Sequence, residues 1–171
     1  MEERKVKLLQ KLIRYGCFKV GNFTLKPGIT STYYLDFIHL ISHPDVLIEI
    51  CHLIYEQIND TSGLICGLPY AGIPYAQTIS VLYKRSSIML RKEQKNKMIE
   101  GNYTSGSDLI IIDDIISKGT SLLESLKHFN QFNIKKIVVL VDKNQGGIEN
   151  LRRQGYNIVS LFTINDFTRN L

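Results

Sequence analysis

The residues with the most chemical potential lie between Leu109 and Ser121, in LIIIDDIISKGTS. An apolar run, Leu109 to Ile112, is followed by Asp113 and Asp114, two aliphatics, and then Ser117, Lys118, Gly119, Thr120 and Ser121 ahead of an amphipathic stretch. Small and hydroxylated residues at a helix start let N–H groups and hydroxyls close on an anion such as a phosphate. Two carboxylates just upstream would repel that phosphate unless they served another part of the same ligand. Ribose hydroxyls, which donate hydrogen bonds to carboxylates, meet that requirement. Taken singly, the acids also fit a plain strand end, with Ser117 or Thr120 as a helix cap. The Walker spacing GxxxxGK[ST] is absent, so a nucleoside triphosphatase loop is not supported.

Such a loop needs strands and helices to hold it. Short apolar strands are expected at Leu64 to Cys66, Ser87 to Leu90, Leu109 to Ile112, Lys136 to Val141 and Ile158 to Phe162. Helices are expected at about Ile73 to Tyr83, Ser121 to Phe132 and Gly147 to Gln154, and another after Pro44. That alternation predicts an α/β fold with a mainly parallel central sheet flanked by helices. Upstream, Val6, Leu8, Leu9, Leu12 and Ile13 mark an amphipathic helix ending near Gly16, and Phe23 to Asp36 reads as two strands about a Pro-Gly turn. The expectation is one domain over residues 1–171, with an N-terminal helix and hood at 1–40 and a core at 41–171. Ligands of open parallel sheets bind beyond the carboxyl ends of the strands, which is where LIIIDDIISKGTS places its polar residues.

Composition narrows the classes. With 44% hydrophobic and 22% charged residues over 171 positions, the chain suits a globular domain. The net charge of +5 fits a polyanionic small molecule, and the basic cluster Lys84, Arg85, Arg91, Lys92, Lys95 and Lys97 lacks the interleaved aromatics of a nucleic-acid platform. Three scattered cysteines give neither a disulfide framework nor a zinc pattern and point to a reduced, cytoplasmic setting. No signal peptide or membrane span is read, and neither nucleic acid nor membrane is an expected partner.

With FTLKPGITSTYYLDF at 23–37, CGLPYAGIPYA at 66–76, MLRKEQK at 89–95, IEG at 99–101, IIDDIISKGTS at 111–121 and LVDKNQGGIENL at 140–151, the chain resembles the type I phosphoribosyltransferases. More specifically it resembles the orotate phosphoribosyltransferases, several segments lying nearer their eukaryotic form. The resemblance implies transfer of ribose 5-phosphate from phosphoribosyl pyrophosphate to orotate, with Mg2+ held mainly by the donor, and orotidine 5′-monophosphate and pyrophosphate as products of pyrimidine biosynthesis. It implies Asp113 and Asp114 as ribose contacts and Ser117, Lys118, Gly119, Thr120 and Ser121 as the 5′-phosphate cradle. Leu68, Pro69, Tyr70, Ala71, Arg91, Lys92 and Lys95 would bind pyrophosphate. Lys26, Tyr33, Tyr34, Ser117 and Lys143 would face orotate, and Lys26 and Lys95 join the acid pair as catalytic groups. A homodimer with shared sites is implied, and an orotidylate decarboxylase is expected as a separate polypeptide.

Several positions depart from the family pattern. Only Asn96, Lys97 and Met98 separate Lys95 from Ile99, so the catalytic lid is shortened. Lys143 stands where an arginine is usual and loses its planar fork. Ser117 replaces threonine, Thr32 replaces a frequent proline, and Lys118 replaces a small residue, either reinforcing the phosphate site or pointing outward. Alone, Lys26 would read as a turn lysine, and Tyr33 and Tyr34 as a half-buried strand pair. The departures keep two other functions in view: a weakened or regulatory homologue that binds the donor or a pyrimidine nucleotide, and an enzyme of altered base preference.

Overall fold

A computed structural model describes residues 2–26, 28–93 and 97–170. Helix α1 (Glu2–Arg14) buries Leu8, Leu9 and Leu12, an i, i+1, i+4 stripe, against the rest of the chain. Strands β1 (Phe18–Lys26) and β2 (Ile29–Leu35) form an antiparallel hairpin around Gly28, whose φ of +77° suits a residue without a side chain. After a 3-10 turn at Ile38–Ser42 come α2 (Pro44–Ile58), with proline at its first position, β3 (Leu64–Gly67), α3 (Gly72–Tyr83) and β4 (Ser87–Leu90). Then follow β5 (Ile99–Glu100), β6 (Asp108–Ile116), α4 (Thr120–Leu126), β7 (Asn133–Asp142), α5 (Gly147–Arg153), β8 (Ile158–Thr163) and α6 (Ile164–Arg169).

The six-stranded sheet runs β5-β4-β3-β6-β7-β8, parallel throughout except where β5 meets β4. Isoleucine, leucine and valine fill its centre because both faces are covered. One face of β6, with Ile110 and Ile112, joins a core that includes α1, α2 and α3. The other, with Leu109 and Ile111, joins a second core that includes α4 and α5. From β3 the chain winds outward to β4, and from β6 it winds the opposite way to β7 and β8. The carboxyl ends of β3 and β6 therefore flank a topological switch point, where the diverging connections leave a crevice.

Several expectations change in detail. Asp113 and Asp114 do not follow the strand but lie within it: β6 continues to Ile116, since Asp113 pairs with Val139 and Ile115 with Val141 of β7. On the other side β3 ends at Gly67 opposite Ile112, so this last part of β6 is paired along one edge only. Helix α4 stops at Leu126 and passes into a 3-10 turn at Lys127–Phe129, short of the expected Phe132. β1 begins five residues before Phe23, and both β5 and α6 were unforeseen. Among the described residues, no helix is long and apolar enough to cross a membrane.

Candidate functional site

Three backbone turns meet at the switch-point crevice. The first leaves β3: Leu68 N–H donates to Ile112 O of β6 at 2.9 Å, and Gly72 N–H returns to Leu68 O at 3.0 Å. Glycine is required at both ends of this turn. A Cβ on Gly67 would come within 2.2 Å of Gly72 O, and one on Gly72 within 2.3 Å of Ile112 O. Between them the Pro69–Tyr70 peptide is cis. Tyr70 and Ala71 N–H groups donate to no protein acceptor among the described residues, which leaves two donors for a ligand.

The second turn leaves β6. Among the described residues, the N–H groups of Ser117 through Ser121 donate to no backbone acceptor, and Gly119 takes the left-handed conformation (φ +82°) that caps α4. The turn is braced from behind by α5. A Cβ on Gly147 would meet Ser117 O at 2.3 Å, and Asn150 Nδ2 reaches Lys118 O at 3.5 Å. The donors are thus held in place before an anion arrives. Lys118 itself is exposed, in keeping with the outward-facing reading.

The acid pair sits at the base of the crevice. Asp113 Oδ1 accepts Asp114 N–H at 3.0 Å, and Asp114 Oδ1 accepts Ile115 N–H at 2.8 Å. Both carboxyls have raised pKa values, chiefly because burial penalises their charge; the neighbouring Asp114 charge adds to the shift of Asp113. A ligand that donates hydroxyl hydrogen bonds would relieve that penalty.

The third turn leaves β7, where Lys143 N–H donates to Ile116 O at 2.9 Å. Asp142, only 6% exposed, accepts Asn144 N–H at 2.9 Å and fixes this turn. Lys143 is half-buried, and burial lowers its pKa. Its Nζ lies 5.1 Å from the centroid of the Tyr33 ring, so the hairpin reaches the sheet here. Tyr34 alternates outward and packs on Phe23, with centroids 5.6 Å apart. The strand period therefore separates the two tyrosines, which had been expected to act together.

The basic segment after β4 is split in the same way. Lys92 Nζ lies 4.7 Å from the centroid of Tyr70, which brings this residue to the β3 turn. Arg91 instead donates to Glu100 of β5 at 2.7 Å, and Lys97 Nζ pairs with Glu100 at 2.8 Å. Those two bases, Lys97 first, lower the Glu100 pKa. Lys95 and the side chain of Lys26 lie outside the described residues, although the Lys26 backbone pairs with Ile29. Gly147, Asp142 and Glu100 were not singled out from sequence. Gly147 and Asp142 lie in the quoted segment LVDKNQGGIENL and Glu100 in IEG, but nothing there marks their supporting roles.

Residues 40–166 match the family model described as the phosphoribosyl transferase domain. The orotate phosphoribosyltransferase of Chlamydia felis is 33% identical over 179 residues, covering 99% of this chain and 87% of that relative. UMP synthase from Leishmania donovani superposes with a TM-score of 0.89 at 30% identity, over 97% of this chain but 38% of its own. The orotate phosphoribosyltransferase of Aeropyrum pernix superposes with a TM-score of 0.83 at 26% identity, covering 95% of this chain and 96% of that one.

Proposed function

The chain belongs to the phosphoribosyltransferase family, among its orotate phosphoribosyltransferases, and we propose that it transfers ribose 5-phosphate from phosphoribosyl pyrophosphate to orotate, forming orotidine 5′-monophosphate and pyrophosphate. The observation that carries this reading is the convergence of three turns on one crevice: N–H groups at 70–71 and 117–121 with no backbone acceptor among the described residues, and two carboxylates between them on β6. That arrangement complements an anion, a sugar and a second anion in sequence.

In this reading, Asp113 and Asp114 accept the ribose hydroxyls and residues Ser117 to Ser121 cradle the 5′-phosphate. The Leu68–Ala71 turn and Lys92 receive pyrophosphate, joined by Arg91 once it leaves Glu100 and by Lys95. Lys143, Tyr33 and Ser117 address the base, as does Lys26 from the hairpin. The bond from the sugar to pyrophosphate breaks as the sugar acquires oxocarbenium character, and the base nitrogen then closes on the anomeric carbon. No side-chain nucleophile is needed; fixed donors and charges stabilise the transition state. Mg2+ would supply charge neutralisation to the departing pyrophosphate. The ion would be carried mainly on the donor's own oxygens, as the family resemblance implies.

Exposed Val81 and Leu82 of α3 and Met89 of β4 support a homodimer. Three free, buried cysteines accord with a reduced cytoplasmic setting, and an orotidylate decarboxylase would take the product. Lys143 in place of arginine favours one variation on this reading, an altered preference among bases. The test is turnover of orotate by purified protein with phosphoribosyl pyrophosphate and Mg2+, against uracil and hypoxanthine as competitors.

A further inference from the structure

Helix α3 buries Gly72, Tyr75, Ala76 and Ile79, an i, i+3, i+4, i+7 stripe that lies on the β6 face of the sheet. Four of its positions are core, yet one is a tyrosine. Tyr75 is 1% exposed, and its hydroxyl is the one buried side-chain nitrogen or oxygen without a hydrogen-bond partner among the described residues. A phenylalanine would fill the same space without that penalty, so the hydroxyl calls for an explanation.

Strand alternation supplies its neighbour. Ile110 and Ile112 share a core with Tyr75, and Asp114 is the next residue of that parity, on the α3 face of β6. The ionisable groups acting on the phenol are Asp114 of β6, Asp36 after β2, Cys17 before β1 and Cys51 of α2. Burial pushes both thiols up to about 12, which leaves them neutral. Cys51 donates to Tyr75 O, and Cys17 lies 3.8 Å from His39 Nε2. Asp36 already accepts Ile38 N–H at 3.1 Å and has His39 beside it at 3.7 Å. The remaining acceptor is the Asp114 carboxylate, whose Oδ1 takes the Ile115 N–H and which otherwise shares a side-chain hydrogen bond with Asp113 of the same strand.

We propose that Tyr75 is a positioning residue for the donor site, its hydroxyl donating to the Asp114 carboxylate, directly or through one buried water, when ribose hydroxyls engage that carboxylate. The proposal rests on the donor-binding role given to Asp114 above. The tyrosine would fix the carboxylate from the α3 side and favour its ionised form while the sugar occupies the crevice.

Calorimetry of phosphoribosyl pyrophosphate with Mg2+ on wild type and Tyr75→Phe tests this. The variant should melt no lower than wild type, since it loses an unpartnered buried hydroxyl. Its donor dissociation constant should rise about fivefold, the loss of one ordinary hydrogen bond. The KM for orotate should stay unchanged, and the pH at which donor binding is half lost should move up. Equal donor affinity and equal pH profiles in the two proteins overturn the inference alone, whereas no donor binding by wild type overturns it together with the proposed function. Should Tyr75→Phe not fold, 3-fluorotyrosine at position 75 of the otherwise wild-type chain serves instead. Its 19F resonance must shift on donor addition, and an unmoved resonance overturns the proposal.

Discussion

Lys143 Nζ stands 5.1 Å from the centre of the Tyr33 ring, joining the end of β7 to the N-terminal hairpin across the mouth of the crevice. A half-buried ammonium facing an aromatic ring gains from the ring's negative face, but gains more from an anion. In the proposed function the ring therefore holds the ammonium in place, and both residues address the base. Tyr33→Leu should raise the KM for orotate about tenfold and leave donor affinity within a factor of two, as loss of a desolvated cation–π contact implies. Steady-state kinetics with each substrate varied in turn checks this; an equal rise in both constants would show a general loss of structure instead.

The acid pair carries a pH signature. Both carboxyls titrate above their ordinary range because burial opposes their charge, so the folded chain holds protons more tightly than the unfolded chain. Their contribution to stability is therefore complete below the ordinary carboxylate range and is lost as pH rises through the raised values. Asp113→Asn removes one charge from this pair. In the absence of ligand it should stabilise the protein at pH 8.5 by at least about 1 kcal/mol, a melting shift of roughly 2–4 °C, with little change at pH 4. Donor binding should be lost at the same time. Thermal melts at the two pH values give the answer, and a variant less stable than wild type at pH 8.5 would contradict the electrostatic account.

The brace behind the phosphate turn is steric. Gly147→Ala would drive a methyl into Ser117 O, 2.3 Å from the ideal Cβ position, so α5 or the turn must move. Overpacking of this kind costs about 1–3 kcal/mol. Orotidine 5′-monophosphate affinity should fall at least tenfold, whereas Gly155→Ala, with open space around its Cβ but a φ of +90°, should cost stability without that loss of affinity. Equal nucleotide binding by Gly147→Ala and wild type would separate the turn from its supposed brace.

Glu100, the last residue of β5, holds Arg91 and Lys97 together. If Arg91 must leave this partner to neutralise pyrophosphate, Glu100→Gln should tighten pyrophosphate binding about three- to tenfold, as release of a competing carboxylate implies. Inhibition constants measured for pyrophosphate at two salt concentrations check it. A weakened pyrophosphate site would mean that Glu100 orients Arg91 and does not compete for it.

Much of the fold was legible because apolar strands buried on both faces announce themselves: Ser87–Leu90 was placed to the residue. The site was read with less accuracy where pairing becomes one-sided. Asp113 and Asp114 break the apolar run and so look like loop residues, yet the ladder to β7 holds them in β6 after β3 has ended. The two-residue β5 carries no period to detect. Helix α6 spans six residues, too few for amphipathic periodicity, although Thr163 and Asp166 form a capping box. Tyr75 was hidden for another reason: in a stripe with Ala76 and Ile79 a tyrosine looks like core, and only its depth shows that the hydroxyl lacks a partner among the described residues.

The central claim is that one crevice binds the donor's sugar phosphate and passes it to orotate. The most direct measurement follows the loss of orotate absorbance with purified protein, phosphoribosyl pyrophosphate and Mg2+, alongside Asp113→Asn/Asp114→Asn. Turnover by wild type that yields orotidine 5′-monophosphate and equimolar pyrophosphate, and is abolished in the double variant, is the expected result. A folded wild-type chain that consumes no orotate, or a double variant as active as wild type, would contradict it.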